Sequence, residues 1–244
     1  MKYSKLPVVL LSKLQASQKD DVNAIIVSYL LENIDKDITV QRIAKDCNVG
    51  IATVSRFVRN LGVDDFGSLK RLLNNEWNTF SQVRSLDELK NDYFQSIQSC
   101  IDSIDINVIK CLCKSIHDSK NVYVFGLLKA QSAAITLQAD LYSLGKPTYS
   151  FIQYKEQIEA ILKSTREDCV VIFSDTSSYF EYFDIRSYKE KLKYTNIWMI
   201  GSGKKDEYIQ HHISYQKPGV IVSHPIQLLF VADMISQCYA DLYK

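Results

Sequence analysis

The 244-residue sequence has no apolar run of membrane-spanning length near its start. The longest there, Leu6-Pro7-Val8-Val9-Leu10-Leu11, is too short for a span or a signal-peptide core, so the cytoplasm is the expected compartment. Net charge is also missing: 29 basic residues face 28 acidic ones, for a formal +1. Any contact with nucleic acid must then come from a local basic face. The six cysteines form no CxxC pair. Cys111 and Cys113, at i and i+2, would point to different faces of a helix, so reduced core cysteines are expected, not zinc or a disulfide. His211-His212 would point to opposite faces of a strand, which argues against a two-histidine metal site. Neither a metal nor a cofactor is expected, and there is no internal repeat or low-complexity tract.

What is present is 46% hydrophobic and 23% charged, the balance of a soluble globular protein of one large or two ordinary domains. The pattern changes along the chain. Up to about residue 78 it is helical, with Leu10, Leu11 and Leu14 at helical spacing. A stripe of Val22, Ile25, Ile26, Tyr29, Leu30 and Leu31 follows behind a cap at Asp20 or Asp21. A polar stretch, 79–92, reads as a linker into helices at 86–103 and 106–118. Beyond it come short, nearly continuous apolar runs at 122–126, 148–152, 169–174 and 197–201, with a possible last strand at 211–215. Helices are expected between them at about 130–144, 154–164, 178–193 and 204–209, and a long apolar one at 225–243. Continuous apolar strands alternating with helices predict a parallel sheet covered on both faces, a three-layer αβα domain over 93–244.

Residues 39–61 carry the clearest chemistry. Thr39 can cap a short helix through Ala44 to about Cys47, Asn48-Val49-Gly50 makes a turn, and a second helix runs from Ile51 to Leu61 before Gly62. Two closely crossing helices need a small residue at the crossing, which Ala44 supplies. The turn needs a residue that tolerates left-handed geometry, and Asn48 is the best after glycine. Ile43, Cys47, Val49, Val54 and Phe57 are apolar inward anchors. The outward face then presents Gly50, Ile51, Ala52, Ser55, Arg56 and Arg59, with its N-terminal end suited to a DNA major groove. Arg42 and Lys70 extend the basic face. From Val40 to Arg71 six basic residues stand against three acidic, a local excess of three. The competing reading is an ordinary helical hairpin in an α-helical core.

Thr53-Val54-Ser55-Arg56-Phe57-Val58-Arg59-Asn60-Leu61-Gly62, followed by Asp65-Phe66-Gly67-Ser68-Leu69-Lys70, resembles the signature of RpiR/MurR-type bacterial transcription regulators. In that family a helix-turn-helix precedes a sugar isomerase (SIS) domain that binds phosphosugars. The resemblance is strong over residues 14–72 and weaker beyond. It implies a regulator of sugar metabolism, not an enzyme, with a double-stranded DNA operator, a phosphosugar effector and a homodimeric or tetrameric state. Its domains would be a helix-turn-helix unit (1–78), a linker (79–92) and an SIS-like effector and dimerisation unit (93–244). The apolar residues Ile226, Leu228, Leu229, Val231, Ala232 and Ile235, with the helices at 86–118, are the candidate oligomer contacts. Gly50 stands where the family usually has a serine cap.

The phosphosugar motifs depart from the family pattern. The turn after the first strand, Gly126-Leu127-Leu128-Lys129-Ala130-Gln131-Ser132, has leucines where small residues are usual. The turn after the third, Ser174-Asp175-Thr176-Ser177-Ser178-Tyr179, keeps hydroxyls but lacks glycine and ends in Tyr179 instead of threonine. The resemblance implies Lys129, Gln131, Ser132, Ser174, Thr176, Ser177 and Ser178 as effector contacts, with Glu156 and His224 beside them. Asp175 would repel a phosphate unless a cation such as Lys129 offsets it, by an amount on the order of 4 kcal/mol at roughly 4 Å. The domain therefore senses a different, less charged sugar derivative, or it serves as a ligand-free dimerisation scaffold. A sugar-phosphate isomerase is the remaining alternative, with Glu156, Glu159 or His224 shuttling protons. As simpler readings, the glutamates favour a helix N-terminus and His224 is a loop residue. Tyr179, Phe180, Tyr182, Phe183 and Tyr188 could stack on a sugar or a partner, or serve as packing surface.

Overall fold

In the computed structural model, residues 10, 11, 14, 21–33, 36–61, 65–77, 85–175, 179–182, 185–203, 209–217 and 224–244 are described. The chain divides into two compact units, Met1–Val83 and Arg84–Lys244. The first is helical: α1 (Val22–Glu32), α2 (Val40–Asp46), α3 (Ile51–Asn60) and α4 (Phe66–Trp77). Asp21 caps α1 by accepting the Asn23 N–H at 2.6 Å, and Thr39 caps α2 through the Arg42 N–H at 3.2 Å. Ile26, Val27 and Leu30 of α1 meet Ile43 and Ala44 of α2, Val54, Phe57 and Val58 of α3, and Leu69 and Leu73 of α4 in one apolar core. Val22 and Ile25, expected on the inward stripe, are exposed.

The second unit begins with α5 (Leu86–Ser103), closed at its start by a Ser85–Glu88 capping box, and α6 (Ile106–Asp118). The helix thus occupies 86–92 of the expected linker; residues 79–84 lie outside the described ones. There follow β1 (Asn121–Gly126), α7 (Lys129–Ser143), β2 (Thr148–Tyr149), α8 (Tyr154–Lys163) and β3 (Asp168–Phe173). After two 3₁₀ turns (Tyr179–Tyr182 and Ile185–Tyr188) come α9 (Lys189–Leu192), β4 (Asn196–Gly201), β5 (His211–Ser214) and α10 (His224–Tyr243). All strands are parallel, in the order β2-β1-β3-β4-β5.

Alternate strand residues feed two cores, which is why the runs are apolar without interruption. Val122, Val124, Cys169, Val171, Phe173, Trp198 and Ile200 pack with α6, α7 and α10. Phe125, Val170, Ile172, Ile197 and Met199 pack on the opposite face with Ile158 and Ile161 of α8 and with Tyr179, Phe180 and Leu192. This is the expected three-layer αβα arrangement.

Three expectations need correction. Residues 178–193 do not form one helix; short 3₁₀ turns draw Tyr179 and Phe180 into the core instead. The second strand stops at Tyr149; beyond it the Phe151 carbonyl accepts from the Gln157 side chain and the Ser150 hydroxyl accepts from Gln131. Most of the apolar face of α10 is interior, with Leu228, Val231, Ala232 and Ile235 buried in the unit's own core and unavailable to a partner. The helix expected at 204–209 lies almost entirely outside the described residues. Five of the six free cysteines are buried and Cys111 is exposed.

Candidate functional site

In the first unit, α2 ends in a left-handed residue. Asn48 has φ 52°, the Val49 N–H reaches the Ala44 carbonyl at 2.8 Å and the Asn48 N–H reaches Lys45 at 3.1 Å. These paired bonds turn the chain sharply into α3 and satisfy the last carbonyls of α2. Ala44 is 7% exposed at the crossing, and Val54, Phe57 and Val58 bury the inner face of α3. Cys47 is buried and Val49 half-buried. Tyr29 pins α1 to α2 by donating to Asp46 at 2.8 Å.

The outer face is open. Gly50, Ile51, Ala52, Arg56 and Arg59 are exposed and Ser55 is half-buried, so one side of α3 presents two guanidinium groups and an uncrowded N-terminal turn. Gly50 caps α3 without a side-chain acceptor, leaving the first N–H groups of the helix without one. The flanking cations differ. Arg42 lies 3.6 Å from Asp46, and the Lys70 ammonium is held by Asp37, whose carboxyl it depresses below the ordinary range.

In the second unit, the carboxyl edge of the sheet lies where the strand order reverses between β1 and β3, the position at which open α/β sheets take ligands. The turn after β1 is tight. A Cβ on Gly126 would lie 2.6 Å from the Ala130 carbonyl carbon and oxygen, so this glycine admits the start of α7 against the strand. Leu128, which precedes α7, has φ 52° and ψ −113°, a backbone that suits glycine, and here a leucine bears the strain.

The mouth between β1, β2 and α8 is filled by a hydrogen-bonded set centred on Gln157, which is fully buried. Its amide nitrogen lies 3.0 Å from the Gly126 carbonyl, 2.6 Å from that of Phe151 and 3.0 Å from Gln131 Oε1. Its oxygen accepts from the Tyr179 hydroxyl at 2.7 Å. Tyr154 in turn donates to the Tyr179 carbonyl at 2.8 Å. Burial pushes the Tyr179 phenol well above its ordinary value, so it remains a donor.

The other half of the edge is built around Asp175. Its Oδ2 accepts from Lys217 Nζ at 2.8 Å; its Oδ1 accepts from Tyr215 at 2.9 Å and Ser202 at 3.2 Å. Its main-chain carbonyl accepts from the N–H groups of Ser202 at 2.8 Å and Gly203 at 3.0 Å and from the Ser202 hydroxyl at 2.9 Å. Gly201 permits this approach, since a Cβ there would fall 2.0 Å from the Ser174 oxygen.

Of the sequence-derived effector residues, Gln131 and Ser174 are buried at this edge. Lys129 and Ser132 are exposed at the start of α7, and the Ser132 hydroxyl is spent on the Lys129 carbonyl at 2.6 Å. The cation facing Asp175 is Lys217, not Lys129. Glu156 is exposed in the first turn of α8, and its neighbour Gln157 takes the inward position. His224 opens α10, and Thr176, Ser177 and Ser178 lie outside the described residues. Sequence reasoning did not find Gln157, Ser202, Tyr215 or Lys217, which carry no motif; only Gly201, closing an apolar run, marked the neighbourhood. Among the described residues no group of three His, Cys, Asp or Glu could hold a metal, and no helix is long and apolar enough to cross a membrane.

No protein-family profile matches the chain. Over 170 residues it is 23% identical to an uncharacterised helix-turn-helix-type transcriptional regulator of Clostridium perfringens; the match covers 63% of this chain and 61% of that protein. Among solved structures, the Vibrio vulnificus NanR protein complexed with ManNAc-6P aligns over 96% of this chain and 92% of its own, with a TM-score of 0.57 and 15% identity. The sugar isomerase domain of an RpiR transcription factor from Sphaerobacter thermophilus aligns over 65% of this chain and 92% of its own, with a TM-score of 0.54 and 16% identity. The chain is thus similar in sequence to a helix-turn-helix-type regulator, and its α/β unit has the fold of an RpiR-type sugar isomerase domain.

Proposed function

We propose that the chain is a DNA-binding transcription regulator of sugar metabolism. It acts as a homodimer or tetramer, and a sugar phosphate or related metabolite at the α/β unit sets its operator affinity. The observation that carries this reading is the pairing of a glycine-like turn at Asn48 with an α3 that is apolar inward and basic outward. Arg56 and Arg59 suit guanine edges or phosphates, Ser55 either, and Gly50, Ile51 and Ala52 admit the helix N-terminus to the groove. Arg42 and Lys70, already engaged by Asp46 and Asp37, fit phosphate contacts at the margin.

Operators of such readers are commonly near-palindromic, which favours a two-fold assembly. Leu86 and Phe94 on α5, 75% and 74% exposed, are the apolar side chains best placed for one. Coupling between effector and operator would be about 1–3 kcal/mol. An isomerase needs a group that exchanges protons at the crevice, and the inward position of α8 holds the amide Gln157, which does not.

The test is retardation of DNA flanking the protein's own gene. Arg56→Ala should weaken specific binding by about 1–3 kcal/mol, or roughly 5- to 150-fold, with circular dichroism unchanged because the side chain is exposed. If wild-type protein retards no fragment even at low salt, the regulator reading fails.

A further inference from the structure

The carboxyl edge of the sheet already contains an anion, supplied by the chain itself. Asp175 is 9% exposed and its side chain 10%; that of Lys217, its ion-pair partner, is 20% exposed. Both carboxylate oxygens are met by donors from β4 and β5 or just beyond them: Ser202, Tyr215 and Lys217. Tyr215 is 3% exposed, and burial together with the Asp175 charge drives its phenol well above the ordinary value, so it remains a donor. The Lys217 ammonium and the Tyr215 hydroxyl, with the Ser202 hydroxyl shared between the carboxylate at 3.2 Å and the Asp175 main-chain carbonyl at 2.9 Å, suit a phosphate monoester, whose oxygens are strong acceptors of charge-assisted bonds. The Asp175 carbonyl, meanwhile, ties the turn to the Ser202 and Gly203 N–H groups, so the turn keeps its place when the side chain is cut back.

We propose that the Asp175 carboxylate occupies an anion-binding site built by Lys217, Tyr215 and Ser202, making the wild-type chain blind to phosphomonoesters there. It follows that the chain's own effector is a sugar derivative without a phosphate at this position. That consequence rests on the reading of this edge as the effector crevice; the anion site itself does not. A second anion would face a fixed carboxylate that has already taken the cation, and removal of that carboxylate withdraws the acceptor that Lys217, Tyr215 and Ser202 share.

The experiment follows thermal unfolding of the full chain with inorganic phosphate, N-acetylmannosamine 6-phosphate and the unphosphorylated sugar. Wild type should not respond to the two phosphates. Asp175→Ala should melt lower in phosphate-free buffer and recover by about 5–10 °C with a phosphate at about a hundredfold its Kd. The gain should vanish in Asp175→Ala/Lys217→Met. Asp175→Asn, which sheds the charge but keeps an acceptor for Tyr215 and Ser202, serves if the alanine variant fails to fold; its gain with phosphate should be smaller and should likewise vanish without Lys217. A wild type stabilised by phosphate as strongly as the variant overturns the proposal. So do variants that no phosphate stabilises or refolds, since a purely structural ion pair behaves that way. Rescue by inorganic phosphate but not by the sugar phosphate upholds the anion site and tells against the sugar crevice, whereas failure to bind DNA touches only the regulator reading.

Discussion

Replacing Gln157 by leucine keeps the side-chain volume nearly constant and removes every hydrogen bond that the Gln157 amide makes at the mouth between β1 and α8. The Tyr179 hydroxyl, fully enclosed, loses its acceptor, and the Gly126 carbonyl, the Phe151 carbonyl and Gln131 Oε1 lose a shared donor. Each buried group left unmatched costs about 1–3 kcal/mol. Two hydrogens serve three acceptors here, so two or three full losses are the reasonable count, which at about 1.5–2 kcal/mol each, the middle of that range, is about 3–6 kcal/mol. Burying the leucine returns about 1–2 kcal/mol. The net loss is about 1–5 kcal/mol, a large share of the roughly 5–15 kcal/mol typical of a domain.

Two tryptophans make the measurement local, because Trp198 lies in the α/β core and Trp77 in the helical unit. Urea unfolding followed by Trp198 fluorescence, in a Trp77→Phe background, should show the midpoint falling with an unchanged slope. Gln157→Glu sharpens the test. Enclosed and facing two carbonyls, the new carboxyl would titrate above its unfolded value of about 4.3. A raised folded pKa means that the variant comes closest to wild type in acid and loses stability as pH rises through that pKa. A Gln157→Leu variant within about 0.5 kcal/mol of wild type, the usual scatter of a surface substitution, would refute the claim that this network holds the mouth closed.

Two further outcomes follow from single residues. Leu128→Gly should relieve the strain at φ 52°, raising stability by about 1 kcal/mol minus any lost packing; a fall in melting temperature of several degrees would show that the half-buried leucine contributes more than its backbone costs. Burial opposes ionisation of Asp168, but bonds from the Thr165 N–H and from the Asn121 and Thr165 side chains outweigh it and hold the carboxyl below its ordinary value. That stability is present above the unfolded value of about 3.9 and lost as pH falls through the lower, folded one. Asp168→Asn should therefore cost about 1–3 kcal/mol at neutral pH and progressively less in acid, and a pH-independent difference in denaturant titrations would be the contrary result.

The helix-turn-helix was legible because its constraints are local. A left-handed residue, a small residue at a crossing and apolar anchors at i and i+3 are all decided within about ten positions, and Asn48, Ala44, Val54 and Phe57 stand as those constraints require. The helices at 86–103 and 106–118 were readable for the same reason, each having a capping side chain at its start. The segment 178–193 reads as one helix because Tyr179, Phe180, Tyr182 and Phe183 include pairs at i, i+3 and i, i+4, yet Tyr179 and Phe180 are drawn into the core by 3₁₀ turns. Their burial is decided by Gln157 and Tyr154, which lie 22 and 25 residues from Tyr179. The apolar face of α10 carries no mark of whether it meets its own core or a second copy. Packing against α6 and α7 settles that most of it belongs to the interior.

Asp175 shows why a site's chemistry is harder to read than its place. From the sequence, its charge and position beside a hydroxyl-rich turn give only a repulsion toward phosphate, and Lys129 is the offsetting cation it suggests. In the fold the partner is Lys217, 42 residues away, and the pair is nearly neutral as a whole. Neutrality does not restore phosphate binding, because affinity for an anion depends on unspent donors as well as on net charge. Here Lys217 and Tyr215 point at the carboxylate, and the Ser202 hydroxyl is shared between it and the Asp175 main-chain carbonyl. The repulsion inferred from sequence and the donor occupancy seen in the fold would each exclude phosphate, but they predict different repairs. If charge alone excluded it, Asp175→Asn would suffice and Lys217 would be incidental. If occupied donors exclude it, the smaller alanine should admit phosphate better than asparagine, and loss of Lys217 should abolish the gain. Comparing those two variants, with and without Lys217, separates the two causes.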